Sequence, residues 1–94
     1  MRSTRIGHMF ILEIGTSDTP ERLAARPAHR EGLAKLHADG KLPMAGPLAD
    51  GSASIVILDV ATREDVDALI AADPYYAAKG VDLKSIREWA PFIV

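Results

Sequence analysis

The apolar positions of this chain repeat with two different periods. Met9–Ile14 (Met-Phe-Ile-Leu-Glu-Ile) and Ser54–Val60 (Ser-Ile-Val-Ile-Leu-Asp-Val) are short, nearly unbroken apolar runs, the pattern of strands dry on both faces. Arg26–Gly40 repeats differently. At about 100° per residue, His29, Leu33, Leu36 and Gly40 share one narrow stripe, while Arg30, Glu31, Lys35 and Asp39 point elsewhere. Pro27 suits the first turn of that helix, and Gly40 supplies a left-handed stop. A second helix is predicted over Thr62–Ala72, with Thr62 as N-cap and Asp65 completing a weak capping box. Val66, Leu69 and Ile70 form its inward stripe. Asp73 continues that stripe one turn later, and Pro74 ends the helix there. Pro74–Lys79 then makes a short extra turn stopped by Gly80, and Val81–Trp89 is the last strand, followed by a Pro91–Val94 tail.

The remaining segments are read from their turn residues. Gly15–Pro20 breaks the first strand, and Glu21–Ala25 is a loop or a first helical turn. Lys41–Ala49 contains Pro43 and Pro47, so it is an edge or bulged strand rather than a central one. Asp50-Gly51 is a hairpin turn signal. The resulting order, β-α-β-β-α-β, predicts an α+β, ferredoxin-like fold with a four-stranded antiparallel sheet. Two helices of this length cover one sheet face only. The consecutive apolar residues of Phe10–Leu12 and Ile55–Leu58 require the second face to be dry as well. A second copy of the chain, packed sheet on sheet in a two-fold homodimer, is the expected cover, with a higher oligomer not excluded.

Ninety-four residues make one domain. With 48% hydrophobic and 26% charged residues the chain is globular rather than disordered. A net charge of −2, with no run of Lys or Arg, argues against nucleic acid or an anionic membrane as partner. The RNA-recognition module shares the element order, but Ser54–Val60 carries no aromatic or basic residue for base stacking. There are no cysteines, and His8, His29 and His37 lack metal-ligand spacing, so no metal or other cofactor is expected. No apolar run approaches the roughly 20 residues of a membrane span, and the expected location is the cytoplasm. Met1–His8 is polar and basic, and is expected to be a disordered arm or an expression remnant preceding a native start at Met9.

The candidate chemistry centres on His29, a histidine on the apolar face of a helix. If the two helices converge at one end of the sheet, His29 meets Asp73. An imidazole oriented by a carboxylate is a general base suited to proton abstraction with a lyase or isomerase outcome. Each residue also has a purely structural reading: His29 as a satisfied core residue, Asp73 as N-cap of the Pro74–Lys79 turn. Arg26 is a candidate to hold a substrate carboxylate, Gly46 to let a ligand approach the backbone, and Ser54 (with Ser52) to donate to an oxyanion. Tyr75, Tyr76 and Trp89 are candidates to line the pocket or to pack at the dimer contact. No phosphate loop is present.

Four segments resemble one known family. Arg26-Pro27-Ala28-His29, Met44-Ala45-Gly46-Pro47, Asp73-Pro74-Tyr75 and Ile86-Arg87-Glu88-Trp89 stand in the order and spacing of the YciI-like (YCII-related) domain, over 9–94. Glu88 is a departure, where many members have proline. The resemblance implies a dimeric α+β barrel of ferredoxin-like subunits with His29 and Asp73 as catalytic pair. It also implies a small-molecule substrate, of the aromatic or enolisable kind handled by a dehydrochlorinase among the relatives. Cofactor-free monooxygenases share the barrel. The alternative expectation is a non-catalytic homodimer that binds a small ligand or acts as a scaffold.

Overall fold

The structure, a computed structural model, describes residues 9–93. The arm expected over Met1–His8 lies outside the described residues. Strand β1 (Met9–Thr16) leads into helix α1 (Pro20–Ala38), then β2 (Met44–Pro47), β3 (Ser54–Leu58), helix α2 (Arg63–Ala72), a 3₁₀ turn (Pro74–Ala77) and β4 (Val81–Trp89). The strands form one antiparallel sheet in the order β2-β3-β1-β4, so β1 and β3 are central and β2 is an edge. This is the ferredoxin-like βαββαβ architecture.

Register decides which side chains meet the helices. Leu12 stands opposite Val56 and Ile86, and Phe10 opposite Leu58. Phe10, Leu12, Ile14, Val56 and Leu58 are buried, with Val66 of α2 closing over them and Leu33, Leu36, Leu69 and Ile70 packing around them. Residues of opposite parity on the same strands, Met9, Ile11, Ile55 and Ile57, are only half-buried, and Met44 and Trp89 of the outer strands are 62% and 42% exposed. A register shift at Glu13/Ile14 bulges β4 there.

Helix α1 starts six residues earlier than its apolar stripe suggests. Thr19 is the N-cap, its hydroxyl accepting the Arg22 N–H at 3.1 Å, and Pro20 opens the first turn. Pro27 is therefore inside the helix, where the bond its missing N–H would give the Leu23 carbonyl is lost. The stop is as expected. Gly40 has φ +77°, with Gly40 N–H bonded to the His37 carbonyl (3.1 Å) and Lys41 N–H to the Leu36 carbonyl (2.9 Å), the paired bonds of a Schellman cap. His37, exposed as expected, sets its Nδ1 against the Leu42 carbonyl (2.8 Å). The second helix begins at its predicted capping box, with Thr62 and Asp65 bonded reciprocally. Strand β2 is the expected edge, shorter than Lys41–Ala49, and β3 ends at Leu58, two residues before the apolar run does. Asp50-Gly51 turns the chain between them, the Asp50 carboxylate accepting the Ser52 N–H at 2.9 Å.

Candidate active site

The longer α1 moves His29 from the start of a helix to its middle. It is the one buried residue of that helix, 7% exposed. Asp73 approaches from α2. The proline after it forces an extended backbone (φ −113°, ψ 106°), which ends α2 and starts the 3₁₀ turn at the same residue. Its two oxygens divide the work. Oδ1 accepts the Tyr75 N–H at 3.0 Å, capping the turn, and Oδ2 lies 2.5 Å from His29 Nδ1. Asp73 thus caps the turn with one oxygen and meets His29 with the other.

A carboxylate only accepts, so Nδ1 carries the hydrogen in this pair, and the neutral ring then has its lone pair on Nε2. Nε2 has no hydrogen bond among the described residues. The imidazole plane is fixed from two further sides. Tyr75 stacks on it at 3.9 Å and 8°, and Tyr76 meets it edge-on at 5.4 Å and 89°. The Tyr75 hydroxyl accepts Arg22 Nε at 3.0 Å, and Arg22 also pairs with Asp18 at 2.8 Å. The Tyr75 hydroxyl is the main cause holding the Arg22 guanidinium above its usual proton affinity, with Asp18 adding to it. Burial pushes the Tyr76 phenol up to about 12, and the Asp73 charge pushes the same way.

Two hollows flank the pair. One, of about 300 Å³, is lined by His29, Arg22, Arg26, Arg30 and Tyr75 with Gly46 and Ser54 on the strand side. The other, of about 360 Å³, lies between the helices over Leu12 and Leu58, and has Asp73 and Tyr76 at its polar end. Leu33 borders both. The candidates His29, Arg26, Gly46, Ser54 and Tyr75 therefore share one hollow, with Asp73 bonded to the ring from behind. Trp89 is elsewhere: it pairs with Met9, at the end of β1 opposite Ile14 and Thr16, which border the hollow.

Sequence reasoning passed over Arg22 and Arg30. Their signal was the i, i+4, i+8 spacing Arg22-Arg26-Arg30, visible only if the helix is taken to begin before Glu21. Among the described residues no helix is long and apolar enough to cross a membrane.

Comparison with known proteins agrees with these motifs. The chain is similar to Protein YciI of Escherichia coli O6:H1 (strain CFT073), 38% identical over 77 residues that cover 71% of this chain and 79% of the relative. The same figures hold for Protein YciI of Shigella flexneri. A model of the YCII-related domain matches residues 8–90, nearly the whole chain, and the chain belongs to that family.

Proposed function

We propose that the chain is a cofactor-independent small-molecule enzyme in which His29 is the general base and Asp73 orients it. The observation that supports this is the 2.5 Å Nδ1–Oδ2 contact beside a hollow large enough for a small ligand, with Nε2 left unpartnered. The step is a proton abstraction of lyase or isomerase type. The substrate C–H proton moves to Nε2, and its electron pair goes to an adjacent carbonyl oxygen or forms the double bond that expels a leaving group such as chloride. Arg26 and Ser54 are placed to meet negative charge on the substrate. The protein acts as a homodimer in the cytoplasm, the second copy covering the half-buried sheet face.

Enolisable and chlorinated aromatic substrates, followed by solvent-deuterium exchange or chloride release, test the chemistry. His29→Gln is expected to lower kcat about 10²- to 10⁴-fold, and Asp73→Asn to lower it by a comparable or smaller factor. In NMR, the ring signals of His29 are expected to move when a substrate analogue is added to the wild type. Ring signals that no added ligand perturbs, with kcat unchanged in His29→Gln, overturn the proposal.

The non-catalytic reading has an observation of its own. The contacts of His29 with Asp73, Tyr75 and Tyr76 tie α1 to the 3₁₀ turn, which is what a structural staple requires. It predicts that His29→Ala lowers the Tm and leaves ligand affinity unchanged.

A further inference from the structure

The arginines of α1 run against the charge pattern used in the rest of the chain. Elsewhere, charges four residues apart are opposite, as in Asp18 with Arg22, Glu31 with Lys35 and Arg63 with Asp67. Arg22, Arg26 and Arg30 instead place three like charges in succession, an arrangement that destabilises a helix. Arg22 is neutralised by Asp18 and held by Tyr75. Arg26 and Arg30 have no hydrogen-bond or ion-pair partner among the described residues. Three of the chain's seven arginines border the same hollow as His29, and among the described residues no acidic side chain borders it. Its strand side is mostly apolar, with Ile14, Ile55 and Val56 beside the neutral hydroxyls of Thr16 and Ser54, and low-dielectric walls concentrate the field of the cations.

We propose that this hollow selects organic carboxylates, clamped between Arg26 and Arg30, so that the substrate is a small carboxylic acid rather than a neutral molecule. The inference rests on the reading of the hollow as a small-molecule site. Two planar guanidinium forks one turn apart match the two oxygens of a carboxylate, and about 300 Å³ limits the remainder to a small ring or short chain. Carboxylate is favoured over phosphate because the hollow opens on the middle of α1. No helix N-terminus or glycine-rich loop is present there to offer backbone N–H groups to a third oxygen. Arg30 is the selectivity residue. His29 borders the same hollow as Arg26 and Arg30, so a clamped carboxylate shares that space with the imidazole.

Thermal shift and calorimetry on the intact protein with benzoate, benzamide and phenyl phosphate test this. Benzoate is expected to bind in the millimolar range or tighter and to raise the Tm, while the isosteric but neutral benzamide does not. Arg26→Gln and Arg30→Gln each weaken benzoate about ten-fold or more. The Tm of ligand-free Arg30→Gln stays equal or rises, because a repulsion has been removed. Benzoate affinity reads the clamp and solvent-deuterium exchange reads the base, so that a failure of the catalytic reading leaves the clamp standing and a failure of the clamp leaves the base standing. Equal binding of benzamide, tighter binding of phenyl phosphate, no binding of benzoate, or unchanged binding in the Arg26→Gln/Arg30→Gln double variant each overturns the proposal.

Discussion

Asp73 carries more of the site than any other side chain, because each of its oxygens and its charge acts on a different neighbour. One oxygen starts the 3₁₀ turn, the other fixes the His29 tautomer, and the charge helps keep Tyr76 protonated. The last effect is measurable. The Tyr76 phenol loses its proton at about 12 in the folded chain against 10.0 ordinarily, so between these values the folded state binds more protons than the unfolded state. Stability then falls as pH rises from 10 to 12, and below 10 the contribution is constant. Two pH units correspond to a loss of the order of 2 kcal/mol. Urea unfolding at a series of alkaline pH values is expected to give a steeper decline in the wild type than in Tyr76→Phe, with Asp73→Asn in between. Parallel declines in all three proteins contradict the assignment.

At the scale of the elements, the register of the whole site depends on where α1 begins. One hydroxyl decides it: Thr19 Oγ1 accepts the Arg22 N–H and donates to the Lys79 carbonyl, joining the start of α1 to the turn that feeds β4. Gly80 makes that join feasible. Its φ is +96°, and a Cβ there would lie 2.5 Å from Thr19 Oγ1 and 2.9 Å from the Ser17 carbonyl oxygen. Gly80→Ala is expected to destabilise by about 2 to 4 kcal/mol in denaturant unfolding. Gly32, inside α1, is the contrast. A Cβ there meets nothing within 4 Å, so Gly32→Ala is expected to gain about 0.5 to 1 kcal/mol from helix propensity. A stable Gly80→Ala, or a destabilised Gly32→Ala, contradicts the local picture. The same elements explain what the sequence could convey. Capping signals that act within four residues were legible, as at Thr62 and Asp65, and so was the Gly40 stop. Pro27 fitted the local rule for a first-turn proline and Pro20 read as part of a turn, whereas Pro20 opens the helix, beside a Thr19 that also bonds residue 79, which no local pattern contains. The apolar stripe gave no help, because the first half of α1 faces a hollow lined by arginines rather than the core. The meeting of His29 with Asp73, 44 positions apart, followed from the fold order only on condition that the helix ends converge, and the family resemblance pointed to the same pair. The stacking of Tyr75 and the arginine column were not.

For the whole molecule, the unresolved demand is the outer sheet face. Its central residues Ile11, Ile55 and Ile57 are half-buried with no helix over them, and Met44 and Trp89 extend the apolar surface toward both outer strands. A scatter of single apolar residues needs no explanation, but Met44, Ile57 and Ile11 stand side by side across three strands, with Ile55 next to them and Arg87 and Glu13 at the β4 side. Covering it with a second copy supplies the sheet-on-sheet packing that buries roughly 800 Å² per partner in a standard interface. The protein is therefore expected to sediment as a dimer. Ile57→Lys, which places an unpaired charge at the middle of that face, is expected to sediment as a monomer with a lowered Tm, while Ile57→Met remains dimeric. A monomeric wild type, or a dimeric Ile57→Lys, refutes this use of the face. The two faces then separate two properties. His29, Asp73, Arg26 and Arg30 all belong to one chain and to the helix-covered side, so a folded Ile57→Lys monomer is expected to keep benzoate binding. Its loss in the monomer would mean that the partner completes the hollow, and that assembly and recognition are one event.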